Sequence, residues 1–338
     1  MNRLFLPLLS AFFFSISIPF SKELLNYFSP VLLSSLLYFS SAIFLIFFKI
    51  IYKSDETKIK KDDLIYLIGI IVFGGFLAPL CFITSLKKLP ASTVSLLSNF
   101  ELIFTVLISI FFGGEKKDKR FFTGFLIVVI GLFFVTDISS VDFNKSVLLI
   151  LAATLFWAID NNLSGKLSVK DPYIISIIKG IVGGGINLLI AFNVETINYS
   201  VNKLFYVFLL GGVSYGLSLV CLIYSFRFIG VSVSISVFNS YPFIAFVLSV
   251  LFLNESVSMG VIIGALLFAT GLLVIMTASH SHLHSHIVEH EHFHSHNDGH
   301  HNHKHNEINY TKKHSHIHRH NIILHSHSHL DDSHHRHH

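Results

Sequence analysis

Residues 85–115 read SLKKLPASTVSLLSNFELIFTVLISIFFGGE, and residues 225–255 read SFRFIGVSVSISVFNSYPFIAFVLSVLFLNE. The two stretches lie 140 residues apart, and their polar residues keep register. Ser85 aligns with Ser225, Ser92 with Ser232, Asn99 with Asn239, Ser109 with Ser249, and Glu115 with Glu255. Downstream, Gly124 and Gly131 align with Gly264 and Gly271, so both copies carry the pattern E-x8-G-x6-G. Chance matches of Leu or Phe are common in an apolar chain. Matches of Asn, Glu and paired Gly in register are not, so the chain contains an internal duplication.

Working outward, apolar runs recur with short breaks. They predict helices near 4–20, 30–50, 64–83, 90–112 and 121–137, then near 145–164, 171–191, 203–225, 230–253 and 258–277. Each approaches the roughly 17–25 residues that cross a bilayer. The runs are continuous and do not alternate, which excludes a membrane barrel. Only 13% of the 338 residues are charged, 52% are hydrophobic, and mean hydropathy is +0.65. A single soluble domain is thereby excluded. The first run lacks a clean cleavage site, so it reads as the first transmembrane helix and not as a removed leader. With the N-terminus in the cytoplasm, the cytoplasmic segments hold 13 Lys and Arg against 5 on the opposite side. The positive-inside rule favours that orientation, with both termini cytoplasmic in a cell (inner) membrane.

Each copy of the repeat holds five crossings. Five is odd, so the copies enter the membrane in opposite senses. Lys116, Lys117, Lys119 and Arg120 follow Glu115, whereas no charge follows Glu255 before residue 277, in keeping with opposite sides. The expected fold is therefore an all-α polytopic membrane protein. It has ten transmembrane helices in two inverted repeats, residues 4–137 and 145–277, and a disordered His-rich tail over 280–338. Inverted repeats of this kind suit carriers that alternate access to a central site.

Polar residues within apolar helices mark the candidate site. Glu101 falls in the middle of its span, where a charge needs a cavity or a partner. Its repeat equivalent is Tyr241, so the symmetry is broken there. Trp157, Asp160 and Asn161 share a helix face in the sixth span, suited to a mixed polar and apolar solute, while Asp160 equally suits a cap at the membrane edge. Lys179 is placed to neutralise Glu101 or Asp160, or to snorkel to an interface. Asn99, Asn187 and Asn239 suit helix–helix hydrogen bonds. Glu115 and Glu255 sit at helix ends, where capping and loop pinning are the simplest roles. Gly124 with Gly131, and Gly264 with Gly271, keep one helix face open to close backbone approach. Gly183, Gly184 and Gly185 mark a flexible or tightly packed point, and Pro79 and Pro242 mark kinks. Cys81 and Cys221 read as buried thiols. No phosphate-binding GxxxxGK[ST] loop is present, and nothing in the sequence suggests an enzyme.

The body resembles the EamA-type family of the drug/metabolite transporter superfamily. The resemblance is carried by Glu115, Gly124 and Gly131, by their copies Glu255, Gly264 and Gly271, and by the sixth-helix segment from Trp157 to Lys166. It covers residues 4–277. It implies two five-helix units around a central cavity and transport, with the substrate left open; the expected function is a secondary transporter exporting small organic metabolites such as amino acids. A divalent-metal transporter, or a carrier regulated through the tail, is the alternative.

All 23 His lie between His280 and His338. The body therefore has no imidazole for a ligand or a proton relay. The tail alternates His with other residues, and His282, His284, His286, His292, His294, His296, His316, His318, His320, His325, His327 and His329 are candidate ligands for Zn, Ni, Cu or Co. The body requires no cofactor on this reading. The tail holds 5 Lys and Arg against 6 Asp and Glu, so it is not a basic arm for nucleic acid. The expected partners are the lipid bilayer, a small organic solute and divalent metal ions on the tail.

Overall fold

A computed structural model describes residues 4–51, 57–113, 119–135 and 141–276, with four stretches of the tail: 281–285, 289–294, 314–319 and 324–328. The body is all-α. Seven helices among the described residues are long and apolar enough to cross a membrane: Phe5–Leu24, Pro30–Ile51, Lys61–Lys88, Lys145–Lys166, Pro172–Val194, Val201–Ile229 and Val233–Leu253. Phe122–Val135 and Met259–Val274 are shorter apolar helices. Large apolar side chains such as Phe47, Ile65, Leu189, Phe205 and Leu251 are exposed on the outside, while Ser10, Ser15, Ser34, Ser35, Ser85 and Ser95 are buried. This polarity suits a lipid surround, with small residues bonding at helix contacts.

The first span is two helices, α1 (Phe5–Ser15) and α2 (Ser17–Leu24). Pro19 lacks the N–H that would bond Ser15, and its ring crowds that carbonyl, so the ladder breaks one turn upstream. There follow α3 (Pro30–Ile51), α4 (Leu64–Gly69), α5 (Ala78–Lys88), α6 (Ala91–Leu97), α7 (Phe100–Gly113) and α8 (Lys119–Val135). The second half holds α9 (Val141–Lys166), α10 (Pro172–Val194), α11 (Leu204–Leu210), α12 (Ser218–Ile229), α13 (Val231–Phe238), α14 (Tyr241–Leu253) and α15 (Met259–Met276).

The duplication extends to irregularities that sequence did not reveal. π-helical segments join α4 to α5 at Ile70–Leu77 and α11 to α12 at Gly211–Leu217. Sequence predicts unbroken helices over 90–112 and 230–253, but each is broken, at Ser98–Asn99 and at Asn239–Ser240. The side-chain amides of Asn99 and Asn239 donate to carbonyls of their own preceding turns, Leu96 O at 2.8 Å and Ile235 O at 3.0 Å. Such local bonds compete with the ladder and favour a break. Of the three interior Asn, only Asn187 makes the expected bond between helices, to Phe76 O at 3.3 Å.

Equivalent helices pack against each other. On α3 and α10, Ser35 Oγ donates to Gly184 O at 2.8 Å, while Gly180 lies against Ala42 and the carbonyl of Tyr38. Numbers rise on one helix as they fall on the other, so the two run antiparallel. The same holds for α8 and α15. A Cβ on Gly264 would lie 3.0 Å from Gly131 O, one on Gly271 2.8 Å from Gly124 O, and one on Gly260 3.0 Å from Phe134 O. The pairs Gly124–Gly271 and Gly131–Gly264 exchange under the 140-residue offset. The glycines of the repeat motif therefore meet each other.

Two sets of polar contacts lace the body. In one set, Lys22 Nζ donates to Leu86 O and Leu89 O at 2.8 Å each, and Lys87 Nζ to Leu25 O at 2.6 Å. Glu195 accepts from the N–H groups of Val31 and Leu32 at the start of α3, and Glu255 from those of Ala91 and Ser92 at the start of α6. Lys203 sits over the Tyr27 ring. In the other set, Lys49 pairs with Asp171 and Lys170 with Asp63, while Arg227 donates to Ser168 O and Lys170 O. Lys166 sits over Tyr66. These are the two groups of cations that charge counting assigns to opposite faces. α3, the Lys61–Lys88 span, α10 and the Val201–Ile229 span each run from one set to the other.

The tail carries four short strands where its composition predicts disorder: β1 (Ser281–Ser285), β2 (Glu289–His294), β3 (His314–Arg319) and β4 (Leu324–Ser328). Alternation with a period of two is the pattern that suits extended chain.

Candidate functional site

The break at Ser98–Asn99 sets the position of Glu101. Sequence places it mid-span; the structure places it in the first turn of α7. A carboxylate there is favoured by the helix N-terminus. Glu101 is 3% exposed, and Asp160 and Lys179 are each 2% exposed, so all three are withdrawn from solvent and lipid. Asn161 Nδ2 donates to Glu101 Oε1 at 2.6 Å, and the Tyr241 hydroxyl donates to Glu101 Oε2 at 3.1 Å. Both donors are neutral. Tyr241 is also the repeat equivalent of Glu101, so two residues 140 positions apart meet where the halves meet.

One residue before Asn161, Asp160 turns to another neighbour. Its carboxylate is ion-paired with Lys179 of α10 and accepts from Ser164 Oγ at 3.3 Å. Of the two partners that sequence offers Lys179, the structure selects Asp160. The carboxylate fits because Gly74, in the first π-helical segment, has no side chain; a Cβ there would lie 2.2 Å from it. Gly75 of that segment approaches Gly183 of α10, where a Cβ on Gly183 would meet the Gly75 backbone at 2.4 Å. The glycine triplet is thus a point of close packing. The π-helical segment also redirects carbonyls, and Tyr38 and Asn187 satisfy two of them, at Gly74 and Phe76.

Aromatic rings close over this polar band. Phe14 of α1 lies edge-on to Tyr241 at 4.8 Å, to Tyr215 at 5.5 Å and to Trp157 at 5.7 Å between ring centroids. Trp157 also packs on Phe82 at 4.9 Å. Phe14 and Tyr215 were not singled out from sequence. Phe14 is one of three consecutive Phe, and residue type alone does not separate it from Phe12 and Phe13. Tyr215 gives no signal of its own beyond being a polar aromatic inside an apolar run. Its hydroxyl lies beside those of Ser17 and Ser21, and the three form a buried hydroxyl cluster.

The other sequence candidates lie apart from this band. Asn239 makes its bond within α13. Glu255 caps α6 and belongs to one of the lacing sets. Glu115, His286, His296, His320 and His329 lie outside the described residues. Among the described residues, no three His, Cys, Asp or Glu side chains are gathered as a metal-ligand set. Asp160 has its cation and Glu101 its two neutral donors.

The EamA-like transporter family matches residues 2–137 and, separately, residues 144–277. An uncharacterized transporter of Methanothermobacter thermautotrophicus is 31% identical over 197 residues, which cover 53% of this chain and 57% of that protein. The match thus spans little more than half of that relative's length. A crystal structure of a protein superposes with a TM-score of 0.56 over 79% of this chain and 98% of its own, at 16% identity. At that identity the likeness is one of fold.

Proposed function

We propose a carrier function from one premise: the chain belongs to the EamA-like transporter family, a family of transporters and not of enzymes. It is a multi-pass membrane protein. Our reading is a secondary transporter that exports small organic metabolites, amino acids and related solutes foremost, across the cell (inner) membrane. Both termini face the cytoplasm, and ten crossings form two inverted five-helix units. The antiparallel packing of α3 on α10 and of α8 on α15 supports the inversion. The two lacing sets then act as alternative closures, one released while the other holds.

The observation that carries the reading is the buried contact between Glu101 and Tyr241, which are repeat equivalents. A carboxylate held by neutral donors can take up a proton or a solute ammonium without first losing a fixed cation. The neighbouring Asp160–Lys179 pair is the counterpart for a solute carboxylate. The aromatic walls of Phe14, Trp157 and Phe82 suit an apolar side chain.

The test is flux in liposomes, with labelled amino acids and nucleosides, with and without a proton gradient. Glu101→Gln should lower organic flux at least about tenfold, equivalent to about 1.4 kcal/mol, with thermal stability kept near that of the parent. Divalent-metal flux without organic flux would replace this reading with metal transport.

A further inference from the structure

Residues 57–66 and 197–206 are equivalents at the offset of 140. Each enters its span the same way, through extended backbone, one 3₁₀ turn at Lys61–Asp63 or Val201–Lys203, and then α4 or α11. Each is tied by backbone to the residues just ahead of a facing helix: Thr57 bridges Lys170 before α10, and Asn198 O accepts from Ser29 N before α3 at 3.0 Å. Exposure repeats too. Lys61, Asp62, Leu64 and Ile65 face outward with Asp63 half-buried, as do Val201, Asn202, Leu204 and Phe205 with Lys203 half-buried. The inward charges are both engaged by the body. Asp63 pairs with Lys170 at 3.1 Å, and Lys203 sits over the rings of Tyr27 and Tyr206. The outward side chains differ. The first segment exposes Lys58, Lys60 and Lys61 with one carboxylate, Asp62; the second has Asn198, Ser200, Val201 and Asn202 in those places.

The lysines stand at a fixed depth. In extended chain, neighbouring side chains point to opposite sides. Ile59 packs inward on the buried cluster of Leu67, Ile70, Leu167 and Ile175, which turns Lys58 and Lys60 outward. Immediately downstream, Leu64, Ile65 and Ile68 are 48%, 69% and 55% exposed, so they face lipid tails. The three steps from Lys61 to Leu64 rise about 4.5–6 Å. A headgroup layer is about 5–7 Å thick on each side of the hydrocarbon core. The ammonium groups are thus held at headgroup level. Lys166, exposed and 5.3 Å from the Tyr66 ring, brings a further cation to the same edge.

We propose that residues 58–61 form a binding strip for the headgroup of an anionic phospholipid, and that the equivalent segment on the opposite face does not. Lysine suits a phosphate as a point charge on a flexible stem and demands no single geometry. A zwitterionic headgroup carries its own ammonium beside the phosphate, so it gains little from added cations. A headgroup with net negative charge gains about fivefold in association for each lysine near the surface. Asp62 offsets one of the three. The strip opens the span that carries Gly74, so the lipid contact anchors the same helix that shapes the recess of Asp160. The contact is independent of transport and of which face is cytoplasmic.

The test uses the full-length protein in liposomes of phosphatidylcholine and phosphatidylglycerol, with bromine on one lipid or the other to quench a tryptophan. Ile65→Trp sets the reporter beside the strip, and Phe205→Trp sets it at the equivalent lipid-facing position. Trp157 is buried and remains as a constant background. At Ile65→Trp, phosphatidylglycerol should associate at least about fivefold more strongly than phosphatidylcholine, and at Phe205→Trp the two should agree within about twofold. Adding Lys58→Gln and Lys61→Gln should bring the first ratio below about twofold, and adding Asn198→Lys and Val201→Lys should raise the second above it. Equal ratios at the two reporters would overturn the proposal, as would a preference at Ile65→Trp that survives loss of both lysines. Loss of the preference in inorganic phosphate at constant ionic strength would overturn it too, by making the strip a site for the free anion.

Discussion

Asp160 and Ser164 of α9 occupy the same places in the duplication as Ser17 and Ser21 of α2, 143 residues earlier. Around them the halves diverge. On the α9 side the carboxylate meets Lys179, accepts from Ser164 and packs on Gly74. On the α2 side Leu37 stands in the place of Lys179, at an offset of 142, and Tyr215 in that of Gly74, at an offset of 141. One half therefore presents an ion pair in a snug glycine recess. The other presents three clustered hydroxyls with no charged neighbour among them. The backbone devices are held in common: a π-helical segment, a helix break and a glycine crossing. The chemistry is not. On the α9 side the carboxylate is matched by Lys179 and Ser164.

The largest effect should come from breaking the charged half. Lys179→Met leaves Asp160 buried without its cation, and loss of about 3–5 kcal/mol is expected, read as a fall in Tm in detergent. Adding Asp160→Asn should recover most of it. An equal fall in single and double variants would mean that the pair does not organise this half. Next come the glycines. Gly183→Ala brings a Cβ within 2.4 Å of the Gly75 backbone, whereas Gly185→Ala meets only the Phe39 ring at 3.8 Å. The first should cost about 1–3 kcal/mol and the second should fall within about 0.5 kcal/mol of the parent. Equal Tm values for these variants would dissolve the close crossing. The smallest effect separates two tyrosines. Tyr38→Phe gives up the bond to Gly74 O and should cost about 1 kcal/mol. Tyr215→Phe removes a hydroxyl that faces only the hydroxyls of Ser17 and Ser21 and should cost less than Tyr38→Phe. If Tyr215→Phe costs as much as Tyr38→Phe, the two hydroxyls are held alike.

The duplication and the apolar spans were legible because each is a property of residue type and spacing. The choice of partners was not. Lys179 lay within reach of two carboxylates on sequence grounds, and only the Gly74 recess decides for Asp160. The contact between Glu101 and Tyr241 was visible as an alignment but not as a bond, since equivalence in sequence says nothing of proximity in space. The π-helical segments carry no periodic signature, because a change in hydrogen-bond step over two turns leaves an all-apolar run looking the same. The breaks at Asn99 and Asn239 were hidden for a related reason. An amide inside a helix can bond sideways or to its own turn, and the residue name does not say which. In the tail, alternation of His was plain, but the strands that carry it depend on pairing, which composition ignores.

Glu195 and Glu255 have a consequence for how the chain is made. Each holds the N–H groups that open a helix of the first half, and each lies 164 residues after the first residue it caps, Val31 for Glu195 and Ala91 for Glu255. At roughly 5–20 residues per second, the ribosome needs about ten to thirty seconds to deliver either cap. During that interval α3 and α6 sit in the bilayer with their leading amides unclaimed, and insertion machinery or headgroups must shield them. The first half is thus a client that only its own later sequence can release.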